Sequence, residues 1–207
     1  MVSDGGTNPG AGVDWDAESA TFDDEPDHGL SAPEVRGAWA ARLRDWLPER
    51  PADLLDVGCG TGSLSLLASE QGHRVTGIDL APRMIGRARA KLAGRDAAFL
   101  VGDAAAPPVG ERRFDVLLGR HVLWTLPDPG RVLRHWAGLL RPGGRLVLVE
   151  GVWGTLSPVG ISAERMVSLL RPLLSDPAGL LVEPLSADAR LWGRDVEDER
   201  YAVVARF

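Results

Sequence analysis

The 207-residue chain predicts an α/β domain with a doubly wound, mostly parallel sheet, and three observations carry that expectation. From residue 52 onward, short apolar runs alternate with segments of helical period. A cluster of glycines joins the first apolar run directly to a helix. Prolines open the later helices and glycines close them, as a fixed φ and a free backbone favour. Strand–helix alternation of this kind sets parallel strands side by side with helices on both faces.

Residues 1–12, rich in Gly, Asn and Pro, read as a disordered tail. Residues 13–50 read as an N-terminal helical arm. Within it, Asp14–Phe22 suits a short helix that turns Trp15 and Phe22 inward. Ser31 and Glu34 form a capping-box pattern, and Val35, Trp39, Leu43 and Trp46 then recur at helical spacing, so a helix is expected over 32–47. Strands are expected over 53–57, 73–79, 97–102, 114–119 and 144–150. Helices are expected over 63–71, 82–93 and 129–140. Beyond Glu150 a helix near 162–171 and strands near 180–184 and 200–206 complete the 51–207 domain.

Composition narrows the function. The chain holds 23 bases, 29 acids and one cysteine. Eight of those acids and none of the bases fall in residues 1–30, so an acidic arm joins a nearly neutral body. That distribution is not the basic stripe of a nucleic-acid binder. Cys59 alone excludes an internal disulfide and a Cys-rich metal site, and no metal is expected. No apolar run nears the ~18 residues of a membrane span, and no basic-then-apolar leader is seen, so a cytoplasmic protein without membrane partners is expected.

The densest signal is Leu54-Leu55-Asp56-Val57-Gly58-Cys59-Gly60-Thr61-Gly62. Glycines between a strand and a helix permit a tight turn and let bare backbone approach a ligand. A dinucleotide loop needs G-x-G-x-x-G, whereas here Ser63 holds that third place and the glycine falls one residue early. A nicotinamide-dependent oxidoreductase is therefore the weaker reading, and a non-catalytic binding homologue stays open. Farther on, Asp79 ends the second strand, where a carboxylate can accept two ribose hydroxyls at once. Gly102-Asp103-Ala104 closes the third strand, and Leu140–Val149 makes a Pro-Gly-Gly turn into the fifth.

Asp56-x-Gly-x-Gly-x-Gly, with these later stretches, resembles the motifs of class I S-adenosylmethionine (SAM)-dependent methyltransferases, over roughly residues 14–151. Trp15–Leu30 and the ending Leu191–Tyr201 are similar to a bacterial small-molecule subgroup. The resemblance implies a Rossmann-like core with an antiparallel last strand. It implies SAM as cofactor, with S-adenosylhomocysteine as product. Cofactor contacts are implied at Asp56, Gly58, Cys59, Gly60, Thr61 and Gly62, and at Asp79, Leu80 and Met84. Gly102, Asp103, Ala104, Arg120 and Phe22 complete that set, with Asp103 accepting from the adenine amino group. The arm and an insertion near 151–180 are expected to cap the substrate.

Methyl transfer needs an aligned acceptor with a free lone pair and no competing water. His121, after the fourth strand, is the first candidate base, although it could instead hold its loop. His28 in the arm and Glu150 at the end of the fifth strand are the others. Trp39, Trp46 and Trp136 fall at helical core spacing. Trp15, Trp124, Trp153 and Trp192 lie in arms or loops and, with Tyr201, are the candidates to face a flat or cationic substrate. No Asn/Asp-Pro-Pro-aromatic run follows the fourth strand, which argues against exocyclic amines of nucleobases. The expected acceptor is an amine or hydroxyl of a small metabolite, with nitrogen favoured because an acidic arm attracts cations. The expected state is a monomer or homodimer.

Overall fold

The structure, a computed structural model, describes residues 13–154 and 158–207. The expected tail over 1–12 and residues 155–157 of the expected insertion lie outside the described residues. The arm contains α1 (Trp15–Glu18), α2 (Pro26–Gly29) and α3 (Pro33–Trp46). Strand and helix then alternate through β1 (Asp53–Val57), α4 (Ser63–Glu70), β2 (Arg74–Asp79), α5 (Pro82–Lys91) and β3 (Ala97–Val101). β4 (Phe114–Arg120), α6 (Pro129–Gly138) and the long β5 (Leu140–Trp153) follow. The chain closes with β6 (Val159–Gly160), α7 (Ala163–Leu170), β7 (Leu180–Pro184), α8 (Ala189–Trp192) and β8 (Glu199–Arg206).

The strands form one sheet in the order β3-β2-β1-β4-β5-β8-β7, with β6 paired to the end of β5. β1 to β5 pair in parallel, while β8 runs antiparallel to both β5 and β7. The order reverses at β1, whose neighbours β2 and β4 lead away in opposite directions. A crevice opens there at the carboxyl ends of the strands, where ligands bind in sheets of this kind.

The period of two along each strand divides the core between the faces. Leu55, Leu117 and Leu148 pack with Leu133 and Trp136 of α6 and with Met166 and Leu170 of α7. Leu54, Val116, Leu118 and Val147 pack on the other face with Trp39, Leu43 and Trp46 of α3 and with Trp192. The core tryptophans keep their indole N–H groups satisfied: Trp39 donates to Leu191 O at 2.7 Å and Trp136 to Ala104 O at 2.8 Å.

Three expectations need correction. The Ser31–Glu34 capping box is absent: Ala32 stands at the cap of α3 without a side-chain bond, and Pro33, lacking an N–H, leaves one donor fewer to satisfy. The fifth strand is longer than expected, running from Leu140 because its Pro-Gly-Gly turn stays paired across an irregularity near Phe114 and Val116. Trp192 is not a loop residue turned to substrate. It is 1% exposed, donates to Leu185 O at 3.0 Å and packs at 5.5 Å against the Trp39 ring.

At the opposite, amino end of the sheet, Asp115 accepts from Asp53 N at 2.9 Å, Arg141 at 2.8 Å and Arg50 at 3.1 Å. Asp53 itself pairs with Arg74 and Arg141, both at 2.7 Å. Burial would raise the Asp115 pKa, but the Asp53 N–H and the two arginines outweigh it and lower it; the hydrogen bond from Arg74 chiefly lowers Asp53. Both folded values thus lie below the unfolded value near ~3.9, so this stability is present above pH ~4 and lost as pH falls through the folded values. Asp115→Asn should cost about 1–2 kcal/mol at pH 7 and narrow the difference between urea midpoints at pH 7 and pH 3. An unchanged midpoint at pH 7 would show that the network adds nothing.

Candidate functional site

At the crevice beside β1 lies a cavity of about 580 Å³, walled by the ends of β1, β2 and β4 and by the arm. The glycine loop forms its floor. Gly58, Gly60 and Gly62 take φ of 64°, 53° and 81°, in the left-handed region that a side chain disfavours. Gly60 keeps bare backbone toward the cavity, where an added Cβ would meet the Phe22 ring at 3.3 Å. Asp79 anchors this loop to β2: its Oδ2 accepts from Gly60 N and its Oδ1 from Ala81 N, each at 2.9 Å. A carboxylate has about four lone-pair sites, so each oxygen retains capacity toward the cavity. Burial raises the Asp79 pKa.

Asp56 lines the cavity from the end of β1 at 3% exposure and accepts from the Ser65 hydroxyl. Burial pushes its pKa up to about 7, against the Ser65 bond and the positive charge of Arg120. Arg120 ends β4, lies 5.1 Å over the Trp39 ring and donates to the backbone carbonyl of Asp27. Asp103 lines the far edge and accepts from Ala105 N at 2.8 Å. Met84 and Ala104 are buried in the wall, and Leu80 is an exposed flap at 66%.

The other end is aromatic. Trp15, Phe22, Trp124 and Trp153 line it with His28 and His121. The His28 ring stacks on Phe22 with centroids 4.3 Å apart, and the His121 ring meets Trp153 edge-on at 4.9 Å. His121 has φ of 56°, an uncommon conformation for a side chain with a Cβ. Its own N–H bonds Val149 O at 2.9 Å, and its carbonyl accepts from the Trp124 indole at 2.9 Å. The next two N–H groups, of Val122 and Leu123, donate to Glu150 Oε1 at 3.0 and 2.7 Å. Glu150 thereby straps the turn that carries His121. Burial, with Arg120 next in effect, pushes the His121 and His28 pKa values down.

The cavity thus gathers most of the sequence candidates, Cys59 and Thr61 of the glycine loop included. Five stand outside it, the core residue Trp192 among them. Glu150 is fully buried on β5 outside the cavity lining, with its pKa pushed up by burial to about 8, and its Oε1 holds the β4 exit turn that carries His121. Tyr201 is 2% exposed on β8 and donates to Ile161 O at 2.8 Å, which makes it a strut of the core. Gly62 turns toward α5, where a Cβ would lie 3.0 Å from the Ala88 Cβ. Gly102 lies against Pro108, which a Cβ would approach to 2.6 Å. Of the described part of the 151–180 insertion, only Trp153 reaches the cavity, because α7 is occupied in covering α6.

Sequence reasoning missed three charged residues here. Asp27 is 6% exposed, and one carboxylate oxygen lies within 4.8 Å of one nitrogen each of His28 and His121. Arg200 sits over the Trp192 ring at 4.3 Å. Lys91, the one lysine of the chain, donates to Asp23 and Thr61 at 3.0 Å and to Ser63 at 2.8 Å. A single lysine among many arginines was the available signal for the last.

A family model described as "Methyltransferase domain" matches residues 55–148. The chain is 36% identical to the ubiquinone biosynthesis O-methyltransferase of Xanthomonas oryzae pv. oryzae, over 91% of this chain and 88% of that protein. It is 34% identical to the 27-O-demethylrifamycin SV methyltransferase of Amycolatopsis mediterranei, over 72% of this chain and 53% of that protein. The chain spans about half the length of several curated relatives it matches. The N-methyltransferase NodS from Bradyrhizobium japonicum, solved with S-adenosyl-L-homocysteine, shares the fold with a TM-score of 0.67 at 19% identity, over 94% of this chain and 98% of that one.

Lys91 ties the arm, through Asp23, to the glycine loop. Lys91→Ala should speed hydrogen exchange in residues 15–29, by the loss of about 1–3 kcal/mol of local opening energy, and leave the amides of β1 and β4 unchanged. Equal arm exchange in the two proteins would show that Lys91 is not what holds the arm.

Proposed function

The chain belongs to the class I SAM-dependent methyltransferases, and from that premise we propose that it methylates a hydroxyl oxygen of a flat small molecule. The observation that carries this reading is the continuity of one cavity from the Asp79–Asp103 edge to the aromatic end at His28 and His121. The residues present suit the cofactor. Asp79 keeps lone pairs for a ribose diol, and Asp103, bonded through one oxygen to Ala105 N, keeps the other at the edge to accept from an adenine amino group. Asp56, buried, and Arg120, half-buried, suit the ammonium and carboxylate of an amino-acid moiety.

SAM supplies a methyl group already activated on a sulfonium. The chain's own work is to orient the acceptor, exclude water and accommodate the acceptor's proton. Trp124 and Trp153 offer flat walls for a planar acceptor. The arm, latched by Lys91, serves as the lid over the cofactor. His28 and His121 stand together where an acceptor would lose its proton, and Glu150 sets the second of them.

Oxygen is favoured over nitrogen on two grounds. Several relatives, matched over 43% to 88% of their own length, are named as O-methyltransferases. The acidic arm, which favoured a cationic amine, is also partly engaged within the chain: Asp16 accepts from Arg83 N at 2.9 Å and Asp23 is held by Lys91. Isotope-labelled SAM offered with a panel of phenols, aliphatic alcohols and aromatic amines should give product labelled on oxygen. His121→Ala should lower turnover ~100- to 10,000-fold while SAM affinity stays within twofold by calorimetry. Label found only on nitrogen, or full turnover without His121, would contradict this reading.

A further inference from the structure

We propose that Asp27, His28 and His121 form a binding site for a divalent transition-metal ion of the zinc class, at the acceptor end of the cavity. Two of these residues come from the arm and the third from the exit of β4, so only the folded chain brings them together. One donor atom of each lies within 4.8 Å of the other two, and Asp27 Oδ2 is 3.9 Å from His28 Nε2. Zinc binds such donors at about 2.0–2.2 Å, which places ligand atoms ~3–3.5 Å from one another. Small side-chain rotations therefore close the set.

The imidazoles are already oriented. His28 is stacked on Phe22, and His121 is packed between the Trp153 and Trp192 rings, at 4.9 and 6.1 Å. Its turn is held in a left-handed conformation by Val149, Glu150 and Trp124. Backbone strain of this kind persists where the surroundings over-determine it, often at functional sites. His121 Nε2 is buried with no hydrogen-bond partner among the described residues. Burying a polar atom unpaired is costly unless a ligand completes it.

The neighbouring charges decide which ion fits. Arg200 lies 3.9 Å from Asp27 Oδ2, and Arg120 holds the Asp27 carbonyl. Two cations beside a single carboxylate disfavour a hard ion that relies on charge and oxygen donors alone. Two imidazoles and one carboxylate suit zinc, cobalt, nickel or ferrous iron. Three protein donors would leave a coordination position free, at a cavity that Trp124 and Trp153 also line. A hydroxyl oxygen in that position would release its proton to solvent more readily than in water.

This inference rests on the hydroxyl-acceptor reading for its role, but its test does not. Chelator-treated full-length protein, titrated with Co²⁺ and separately with Zn²⁺ by calorimetry, should bind one ion per chain. Co²⁺ should also show visible absorption bands of imidazole–carboxylate coordination. Asp27→Asn, His28→Ala and His121→Ala should each weaken binding at least tenfold while SAM still binds. An absence of saturable binding, or binding that ignores all three substitutions, overturns the site. If His121→Ala removes methyl transfer but exhaustive chelation of the native protein does not, the imidazoles take the proton themselves and the ion's part in the transfer is refuted. If the ion binds through these residues but no hydroxyl is methylated, the acceptor reading falls and the site stands.

Discussion

The carboxylate of Asp79 ties the glycine loop after β1 to the turn after β2. β1 and β2 pair as far as Val57 and Ile78, and Cys59 N carries the ladder one step further to Ile78 O; beyond that the two loops leave the sheet. Asp79 bridges them by accepting from Gly60 N and Ala81 N. The glycine loop can turn through three left-handed residues only because no Cβ stands in the way, and a loop so free needs an external tie. With it in place, the bare backbone of Gly60, the acids at the strand ends and Arg120 all face one cavity.

The aromatic end is built on a second carboxylate, one outside the cavity lining. Glu150 gives one oxygen to the N–H groups of Val122 and Leu123 and so fixes the turn in which His121 adopts φ of 56°. Both carboxylates act on backbone N–H groups, which is how an open sheet edge acquires fixed geometry without further secondary structure. The arm supplies the rest: Phe22 and His28 close over Gly60, and Lys91 latches Asp23 to Thr61 and Ser63.

The fold was legible because its determinants are local. The period-two and helical runs placed the strands and helices to within a few residues, and the glycine spacing placed the tight loop between β1 and α4. The failures share a physical origin in long-range partners. Trp192 lies next to a glycine in a loop-like stretch, and only its packing on Trp39, far away in sequence, makes it core. Glu150 ends a strand, as a catalytic acid would, yet its partners lie across the sheet. Asp27 was visible beside His28, but nothing local indicated that His121 would meet them.

The cofactor assignment turns on Asp79, and calorimetry of SAM binding to Asp79→Ala tests it most directly. With folding verified by an intact thermal transition, the variant should lose ~1.5–3 kcal/mol of binding energy, the scale of a hydrogen bond to a charged group. That corresponds to roughly 10- to 150-fold in Kd. Unchanged affinity in the folded variant would remove Asp79 from the cofactor site and contradict the orientation of the whole cavity.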